Sequence, residues 1–227
     1  MNPERAAAAA FSRSLRRWFR RKGRDLPWRR TRDPYRVLVS ETMLQQTQVV
    51  RVVDYYERFL TRFPSLDALA RARPRQVRES WEGLGYYARA RNLHALAKAV
   101  RTLPSDPAEL RRLPGIGAYT AGAVSSFAFE RRAALVDTNV ARVLMRVFAP
   151  RADFKTTRGA QKLWGIAEAL LPATGRATWT HNQAIMELGA TVCTARVARC
   201  GKCPVRSFCR TARRMGAQLQ HKQVTAP

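Results

Sequence analysis

Acidic residues are scarce in this sequence, and their shortage limits what the protein can bind. The 227 residues include 16 Asp and Glu against 42 Lys and Arg, which gives a formal net charge of +26. Such an excess of one sign repels itself in a folded chain unless a polyanion neutralises it. The charge therefore favours nucleic acid as the partner. The alternatives are an anionic membrane surface and a basic composition with no binding role.

Long apolar runs are also missing, as is sustained alternation of apolar and polar residues. No run reaches the roughly 18 apolar residues that a membrane-spanning helix needs, so we expect no membrane contact. No stretch alternates with period two for long enough to build a sheet. Apolar residues instead recur three and four positions apart in segments such as VVRVVDYYERFLTRF, and prolines separate these segments. The pattern predicts an all-α protein of about ten helices. The predicted N-caps are Ser40, Ser65, Ser105 and Asp137.

The N-terminal stretch is poor in acids and rich in Ala and Arg, which is also typical of organellar transit peptides. However, Phe11, Leu15, Trp18 and Phe19 fall at helical spacing, which favours an amphipathic helix of the mature protein. We find no secretory apolar region followed by a cleavage site. We therefore expect a cytoplasmic, nucleoid-associated protein.

Cysteines are few and confined to one short segment. The four are Cys193, Cys200, Cys203 and Cys209, separated by six, two and five residues. This clustering favours one metal centre over scattered disulfides. The residues alone leave open an all-thiolate zinc site and an iron–sulfur cluster.

The stretch LPGIGAYTAGAV, from Leu113 to Val124, interrupts the helical pattern with a proline and two glycines. Gly115 and Gly117 are expected to adopt positive φ values and to let a ligand approach the backbone closely. A helix starting near Ala118 would present free N–H groups, which bind anions such as DNA phosphate. The alternative is a plain turn between two helices.

Several long motifs resemble the helix-hairpin-helix base-excision glycosylases, which include the endonuclease III and MutY families. The first are LPGIGAYTAGAV, LVDTNVARVL about twenty residues later, and the cysteine segment. LVSETMLQQTQVV (38–50) and GLGYYARARNLH (83–94) are similar to MutY rather than to endonuclease III, and RDLPWRR and HNQAIMELGATVC agree. The resemblance covers about residues 11–210. It implies that the four cysteines hold a [4Fe–4S] cluster with a structural role.

The resemblance also implies two lobes. A six-helix lobe would span 28–131 and contain the hairpin at 113–117. Residues 1–27 with 132–213 would form a second lobe with the N-terminal helix and the iron–sulfur cluster. A basic tail, 214–227, is expected to be partly disordered. MutY proteins typically carry a further C-terminal domain that reads 8-oxoguanine, and we expect only the catalytic region here.

Two acids stand within the strongest motifs. Glu41 lies among apolar neighbours, where burial would raise its pKa and keep it protonated; an ordinary glutamate in an early helical turn is the alternative. Asp137 precedes a helix and is expected to cap it. The resemblance assigns Glu41 to protonation of adenine N7 and Asp137 to stabilisation of the oxocarbenium ion, with the two acids meeting across a cleft between the lobes. It adds Asn139 as a polar partner of Asp137.

Tyr119 stands where strand-nicking relatives carry the lysine that forms a Schiff base with the sugar. A phenol cannot form one, so the resemblance implies a monofunctional enzyme without strong lyase activity. Tyr119 is expected to hydrogen-bond beside Asp137.

A base inside a duplex must be flipped out before its bond can be cut. The resemblance assigns Gln46 and Tyr86 to the pair that fills the gap; a solvated helix residue and a buried aromatic are the alternatives. The implied base pocket comprises Arg24, Trp28, Arg29, Leu44 and Gln183, although Trp28 also suits the core. Further DNA contacts are expected at Gly115, Gly117, Arg196, Arg199 and Lys202, the last three lying in what is otherwise a solvated loop.

The function that the resemblance implies is excision of adenine mispaired with guanine or 8-oxoguanine in double-stranded DNA, by a monomer. One alternative is a thymine or uracil glycosylase that acts on mismatches with guanine. The other is a non-catalytic DNA-binding protein on the same scaffold.

Overall fold

The computed structural model describes residues 3–214, so most of the predicted basic tail, from residue 215 onward, lies outside the described residues. Within them the protein is all-α, as predicted: no strand forms, and one isolated bridge joins Cys193 to Ala198. None of the described helices is both long and apolar enough to cross a membrane. The described residues divide into two compact units, residues 25–133 and residues 3–24 together with 134–214.

Eleven α-helices lie wholly within the described residues. They are α1 Pro3–Lys22, α2 Pro34–Leu44, α3 Val49–Arg62, α4 Leu66–Arg71, α5 Pro74–Ser80, α6 Ala88–Ala99, α7 Pro107–Leu110, α8 Ala118–Phe129, α9 Thr138–Phe148, α10 Thr157–Ala169 and α11 Gly175–Thr191.

Residues 25–133, the hairpin unit, contain six helices of six or more residues and the single turn α7. Helix α8 is the central element, because every residue from Thr120 to Ala128 is buried. It packs against α2 and α7, while α6 packs against α4 and α5. Small residues such as Ala121 and Gly122 let neighbouring helices approach α8 closely. Elsewhere in the unit, the buried rings of Trp81 and Phe59 meet edge-on at 5.7 Å.

The other unit, here the split unit, joins the N-terminal helix to α9–α11. Helix α1 packs along α11, which also packs on α9. Phe11 and Leu15 are fully buried, and the Phe11 ring meets Phe148 edge-on at 5.0 Å. The N-terminal stretch therefore packs as an amphipathic helix of the folded protein, as predicted.

Helix starts agree with only some of the predicted caps. The Ser65 hydroxyl accepts from Ala68 N at 3.1 Å, and Asp137 caps α9. The prediction for Ser40 was wrong, because this residue lies inside α2, where its hydroxyl donates to the Val37 carbonyl. The prediction for Ser105 was also wrong, because the carboxylate of the next residue caps α7 instead.

Candidate active site and DNA-contact elements

Glu41 lies in the hairpin unit on α2 and is 3% exposed. The helix that carries it starts at Pro34 behind the carboxylate of Asp33, which accepts from Arg36 N at 2.8 Å. Tyr119 stands in the first turn of α8, and its hydroxyl donates to Glu41 Oε2 at 2.8 Å. The packing of α2 on α8 thus brings a buried carboxyl and a half-buried phenol together.

Asp137 lies in the split unit at the start of α9, and both of its carboxylate oxygens are oriented by hydrogen bonds. Oδ1 accepts from Val140 N at 2.7 Å, and Oδ2 accepts from Asn139 Nδ2 at 3.0 Å. The carboxyl group is therefore both a helix cap and a partly exposed group with a fixed orientation. Glu41 and Asp137 belong to different units, and their meeting at one nucleotide stays a prediction.

The five predicted base-pocket residues are divided between the units. Trp28, Arg29 and Leu44 lie in the hairpin unit. Trp28 is 6% exposed and meets the Tyr56 ring edge-on at 5.5 Å, which is the packing of a core residue. Arg24 and Gln183 lie in the split unit. Gln183 is buried on α11, and a role for any of the five in base binding stays a prediction.

Arg24 is fixed by a partner that sequence inspection missed. Its Nε lies 2.7 Å from Glu187 Oε1 and its Nη2 lies 3.0 Å from Oε2, so the ion pair is bidentate. The Glu187 side chain is only 1% exposed. A buried carboxylate needs such a partner, and the fork geometry fixes the direction of the guanidinium. The two residues are 163 positions apart, and no local pattern announces the pair.

Gln46 and Tyr86, the predicted intercalating pair, both stand in short turns of the hairpin unit with left-handed backbone. Their φ values are 58° and 49°, which are unfavourable for residues other than glycine. The Tyr86 side chain is 59% exposed, so it is not the buried aromatic of the alternative reading. Left-handed residues with large exposed side chains cluster at functional sites, where the surrounding structure fixes them.

The hairpin between α7 and α8 carries one glycine with the predicted conformation and one without. Gly115 has φ +76°, and a Cβ there would lie 2.6 Å from Asn92 Cβ on α6. The prediction for Gly117 was wrong, because its φ is −86° and it caps α8 in an extended conformation. Helix α8 begins at Ala118 as predicted, with no side-chain cap on its first N–H groups. Those N–H groups can donate hydrogen bonds to a bound anion.

The four cysteines of the split unit are half-buried, free thiols that line one cavity of about 330 Å³. Burial and, to a smaller extent, the neighbouring three thiols together raise the pKa of Cys203 to about 11. No group of three or more His, Cys, Asp or Glu side chains in the described chain is arranged to hold a metal ion. The predicted basic residues of this segment, Arg196, Arg199 and Lys202, are exposed.

Comparison with known proteins decides the family. Residues 39–168 match the HhH-GPD superfamily of base excision DNA repair proteins. The chain belongs to the HhH-GPD superfamily. It is 45% identical to human adenine DNA glycosylase over 92% of this chain and 41% of that protein. It is also 45% identical to the adenine DNA glycosylase of Mycolicibacterium smegmatis over 85% of this chain and 66% of that protein. The chain thus spans less than half the length of the human relative.

A solved structure supports the HhH-GPD fold over almost the whole chain. A thermostable thymine-DNA glycosylase superimposes with a TM-score of 0.83 at 28% identity, covering 94% of this chain and 98% of that one. The predicted resemblance to helix-hairpin-helix glycosylases is therefore confirmed. Membership of the HhH-GPD superfamily establishes the scaffold.

Two arginines of α9 that sequence inspection missed bind the cysteine segment, and one of them also binds Asn139. Arg142 donates to Asn139 Oδ1 at 2.6 Å and to the Cys193 carbonyl at 2.8 Å. Arg146 donates to the Thr194 carbonyl at 2.8 Å and lies 3.4 Å from Cys193 Sγ. The two arginines follow Asn139 by three and seven positions, and this helical spacing is the one sequence signal that predicts a shared helix face.

Proposed function

We propose that this chain is a monofunctional DNA N-glycosylase of base excision repair that removes adenine mispaired with guanine or 8-oxoguanine. The observation that carries the proposal is 45% identity to adenine DNA glycosylases over 85–92% of the chain. The net charge of +26 supports a polyanionic substrate. The proposal includes a monomer that works in the cytoplasm at the nucleoid, where the substrate is.

Two carboxyl groups can share the work of cutting the bond between adenine and its sugar. In the proposed reaction the Glu41 carboxyl gives its proton to N7, and the C1′–N9 bond breaks with its electron pair leaving on the base. Asp137 stabilises the positive charge that develops on the sugar. Water then adds to C1′ and its proton returns to a carboxylate, which leaves an abasic site. The burial of Glu41 and the hydrogen bonds that orient Asp137 support these roles.

Tyr119 supports a reaction that ends at the abasic site. Its hydroxyl binds Glu41, and a phenol has no amine to attack the sugar. Asn139 and its partner Arg142 would hold Asp137 in one orientation while the nucleotide enters.

Binding of the duplex is assigned to three elements. The N-terminus of α8 behind Gly115 and Gly117 would take a backbone phosphate. The exposed side chains of Gln46 and Tyr86 would occupy the space left by the extruded nucleotide. Arg196, Arg199 and Lys202 would meet further phosphates along the strand. The base itself would meet Arg24, Trp28, Arg29, Leu44 and Gln183.

The cysteine segment is assigned to a [4Fe–4S] cluster held by Cys193, Cys200, Cys203 and Cys209. A single zinc ion needs four sulfur atoms at about 2.3 Å from one point, whereas cluster ligands bind separate irons and stand farther apart. The fact that all four thiols line one cavity of about 330 Å³ supports the cluster. When bound, the cluster would supply cross-links that order this segment. Protein purified anaerobically should contain iron and sulfide, and zinc without iron would contradict the assignment.

The likeness to a thymine-DNA glycosylase favours one other substrate, thymine or uracil opposite guanine. Single-turnover assays on duplexes with A·G, A·8-oxoguanine, T·G and U·G pairs separate the possibilities. We expect release of adenine from the first two. Release of thymine but never adenine would support the other substrate, and no release from any duplex would leave a DNA-binding protein without catalysis.

A further inference from the structure

Arg89, in the first turn of α6, buries its guanidinium among backbone carbonyls and is only 8% exposed. Nη1 donates to three carbonyls and Nη2 donates to two more and to a hydroxyl. The donor–acceptor distances are 2.8–3.2 Å, except for the contact with the Gln45 carbonyl, which is closer. The acceptors are the carbonyls of Thr42, Met43, Gln45, Leu84 and Gly85 and Oγ1 of Thr47.

These acceptors belong to the two turns that carry the predicted intercalating pair. The acceptors on Thr42, Met43, Gln45 and Thr47 lie at the C-terminal end of α2 and flank Gln46 on both sides. The other two acceptors, the carbonyls of Leu84 and Gly85, immediately precede Tyr86. The last carbonyls of a helix have no partner within the helix, and a guanidinium can satisfy them. One side chain therefore ties both turns to the start of α6.

The guanidinium also contacts the ring of Tyr86, one of the two side chains predicted to act as the intercalating wedge. Arg89 Cζ lies 5.3 Å from the centroid of the Tyr86 ring and 5.6 Å from that of Trp81. The Trp81 indole donates to the Gly85 carbonyl at 3.2 Å, which adds a second tie to the same turn. Because Gln46 and Tyr86 both hold left-handed backbone, they need surrounding contacts to keep them there.

Burying an arginine at this position costs free energy, because its charge loses contact with water. Burial lowers its pKa, yet a guanidinium remains charged near neutral pH. Across residues 6–214 no carboxylate forms an ion pair with it, and its Nε is buried without a hydrogen-bond partner. A lysine carries its donors on a single nitrogen, so it could not reach both turns as the planar fork does.

We propose that Arg89 is a positioning residue that holds Gln46 and Tyr86 in the geometry needed to fill the gap beside an extruded nucleotide. This inference rests on the proposed function, in which these two side chains form the wedge. Arg89 acts through the two turns and does not touch the reacting atoms.

The test compares Arg89→Lys with the wild type on a duplex that carries 2-aminopurine beside the target adenine. Fluorescence reports extrusion, and quench-flow reports excision in a single turnover. We expect both to slow by about tenfold to a hundredfold, because a small misplacement of positioning groups has effects of this order. Affinity for a fully paired duplex should change by less than about twofold, because the charge remains.

A second substrate separates positioning from general damage. When the target adenine lies opposite an abasic site it is already unpaired, and extrusion costs less. The defect of Arg89→Lys should then shrink toward the wild-type rate. An equal defect on both substrates would mean that the variant harms the fold or the chemistry, and would overturn the inference.

Two variants of the same unit serve as controls. Arg62→Lys removes a guanidinium that donates to Ser80 and Glu79 on the surface, and it should leave extrusion unchanged. Leu96→Val trims a fully buried residue of the same helix, seven positions beyond Arg89. It should lower the melting temperature and yet extrude normally at temperatures where the protein is folded. Slow extrusion in Leu96→Val would show that lost stability alone explains the Arg89 result.

The outcomes distinguish this inference from the wedge itself. If Tyr86→Ala extrudes the base normally, the wedge assignment of the proposed function fails. If Tyr86→Ala is slow and Arg89→Lys is normal, the wedge stands and the positioning role fails. Should Arg89→Lys not fold, Thr47→Val removes one acceptor and should slow extrusion about twofold to threefold. Unchanged extrusion in that variant overturns the positioning role.

Discussion

The hydroxyl of Tyr119 donates a hydrogen bond of 2.8 Å to Oε2 of Glu41. The two residues are 78 positions apart, and the packing of α2 against α8 brings them together. The bond fixes the direction of a carboxyl group that is 3% exposed. A general acid has to point at the atom it protonates, so the geometry of this pair matters to the proposed reaction.

Replacing Tyr119 with Phe should slow excision more than it weakens the fold. Without the hydroxyl, the Glu41 carboxyl loses the donor that orients Oε2, and an orienting hydrogen bond of about 1–3 kcal/mol that acts in the transition state corresponds to a rate loss of about fivefold to a hundredfold. Tyr35→Phe is the matched control, because it deletes another hydroxyl of the same unit, one that donates to the Phe63 carbonyl at 2.8 Å. The control should unfold more easily by about 1 kcal/mol and excise normally. Equal excision rates in both variants would remove Tyr119 from the reaction.

Borohydride should fail to trap the wild-type protein on DNA, because Tyr119 offers no amine to the sugar. Tyr119→Lys places an amine beside Glu41 and should give a trapped complex and some strand nicking. The measurement is the fraction of labelled DNA that migrates with protein after reduction. Efficient trapping of the wild type would mean that another lysine, for instance Lys22 or Lys162, reaches the sugar.

Stability should fall below neutral pH because of His181. Burial lowers the pKa of this residue to about 3, against 6.5 in the unfolded chain. Between these values the unfolded state binds one more proton, so stability is complete above about pH 6.5 and is lost as the pH falls toward 3. From pH 7 to pH 5 the loss should be about 2 kcal/mol.

Urea unfolding at pH 7, 6 and 5 measures this loss, and the comparison with His181→Asn isolates it. Between pH 7 and pH 5 the free energy of unfolding of the variant should fall by about 2 kcal/mol less than that of the wild type. Ser12→Ala keeps the buried ring and removes the hydroxyl that lies 2.9 Å from its Nδ1, so it should lower stability and keep the slope. If the wild type and His181→Asn lose stability in parallel, His181 is not the source.

Local patterns predicted the helices and the hairpin because these depend on neighbours in sequence. Spacing of apolar residues placed Phe11 and Leu15 on one buried face, and the glycine motif placed the start of α8 at Ala118. The two hairpin glycines look alike in sequence. Only Gly115 adopts positive φ, at +76°, and a Cβ there would also lie 2.6 Å from Asn92 Cβ.

Hydrogen bonds and ion pairs between residues far apart in the sequence could not be predicted from local patterns. GLGYYARARNLH places four polar side chains at the start of α6, and no local feature indicates that Arg89 turns inward while Arg91 stays exposed. Similarly, Arg24 was expected at a base, and its bidentate bond to Glu187 appears only when α11 packs in the folded unit. Such contacts follow from tertiary packing, which periodicity and motif spacing do not encode.

Asp137→Asn should abolish excision and leave duplex affinity nearly unchanged. Asparagine caps helices about as well as aspartate, so α9 should still begin at Thr138. The variant removes the negative charge that the proposed reaction needs at the sugar, and the loss should be on the order of a thousandfold or more in the single-turnover rate. Asp153→Asn is the matched control, because that exposed carboxylate of the same unit also accepts from a backbone N–H, at 2.9 Å from Lys155 N. Retained turnover in Asp137→Asn, with normal folding by circular dichroism, would contradict the role assigned to this residue.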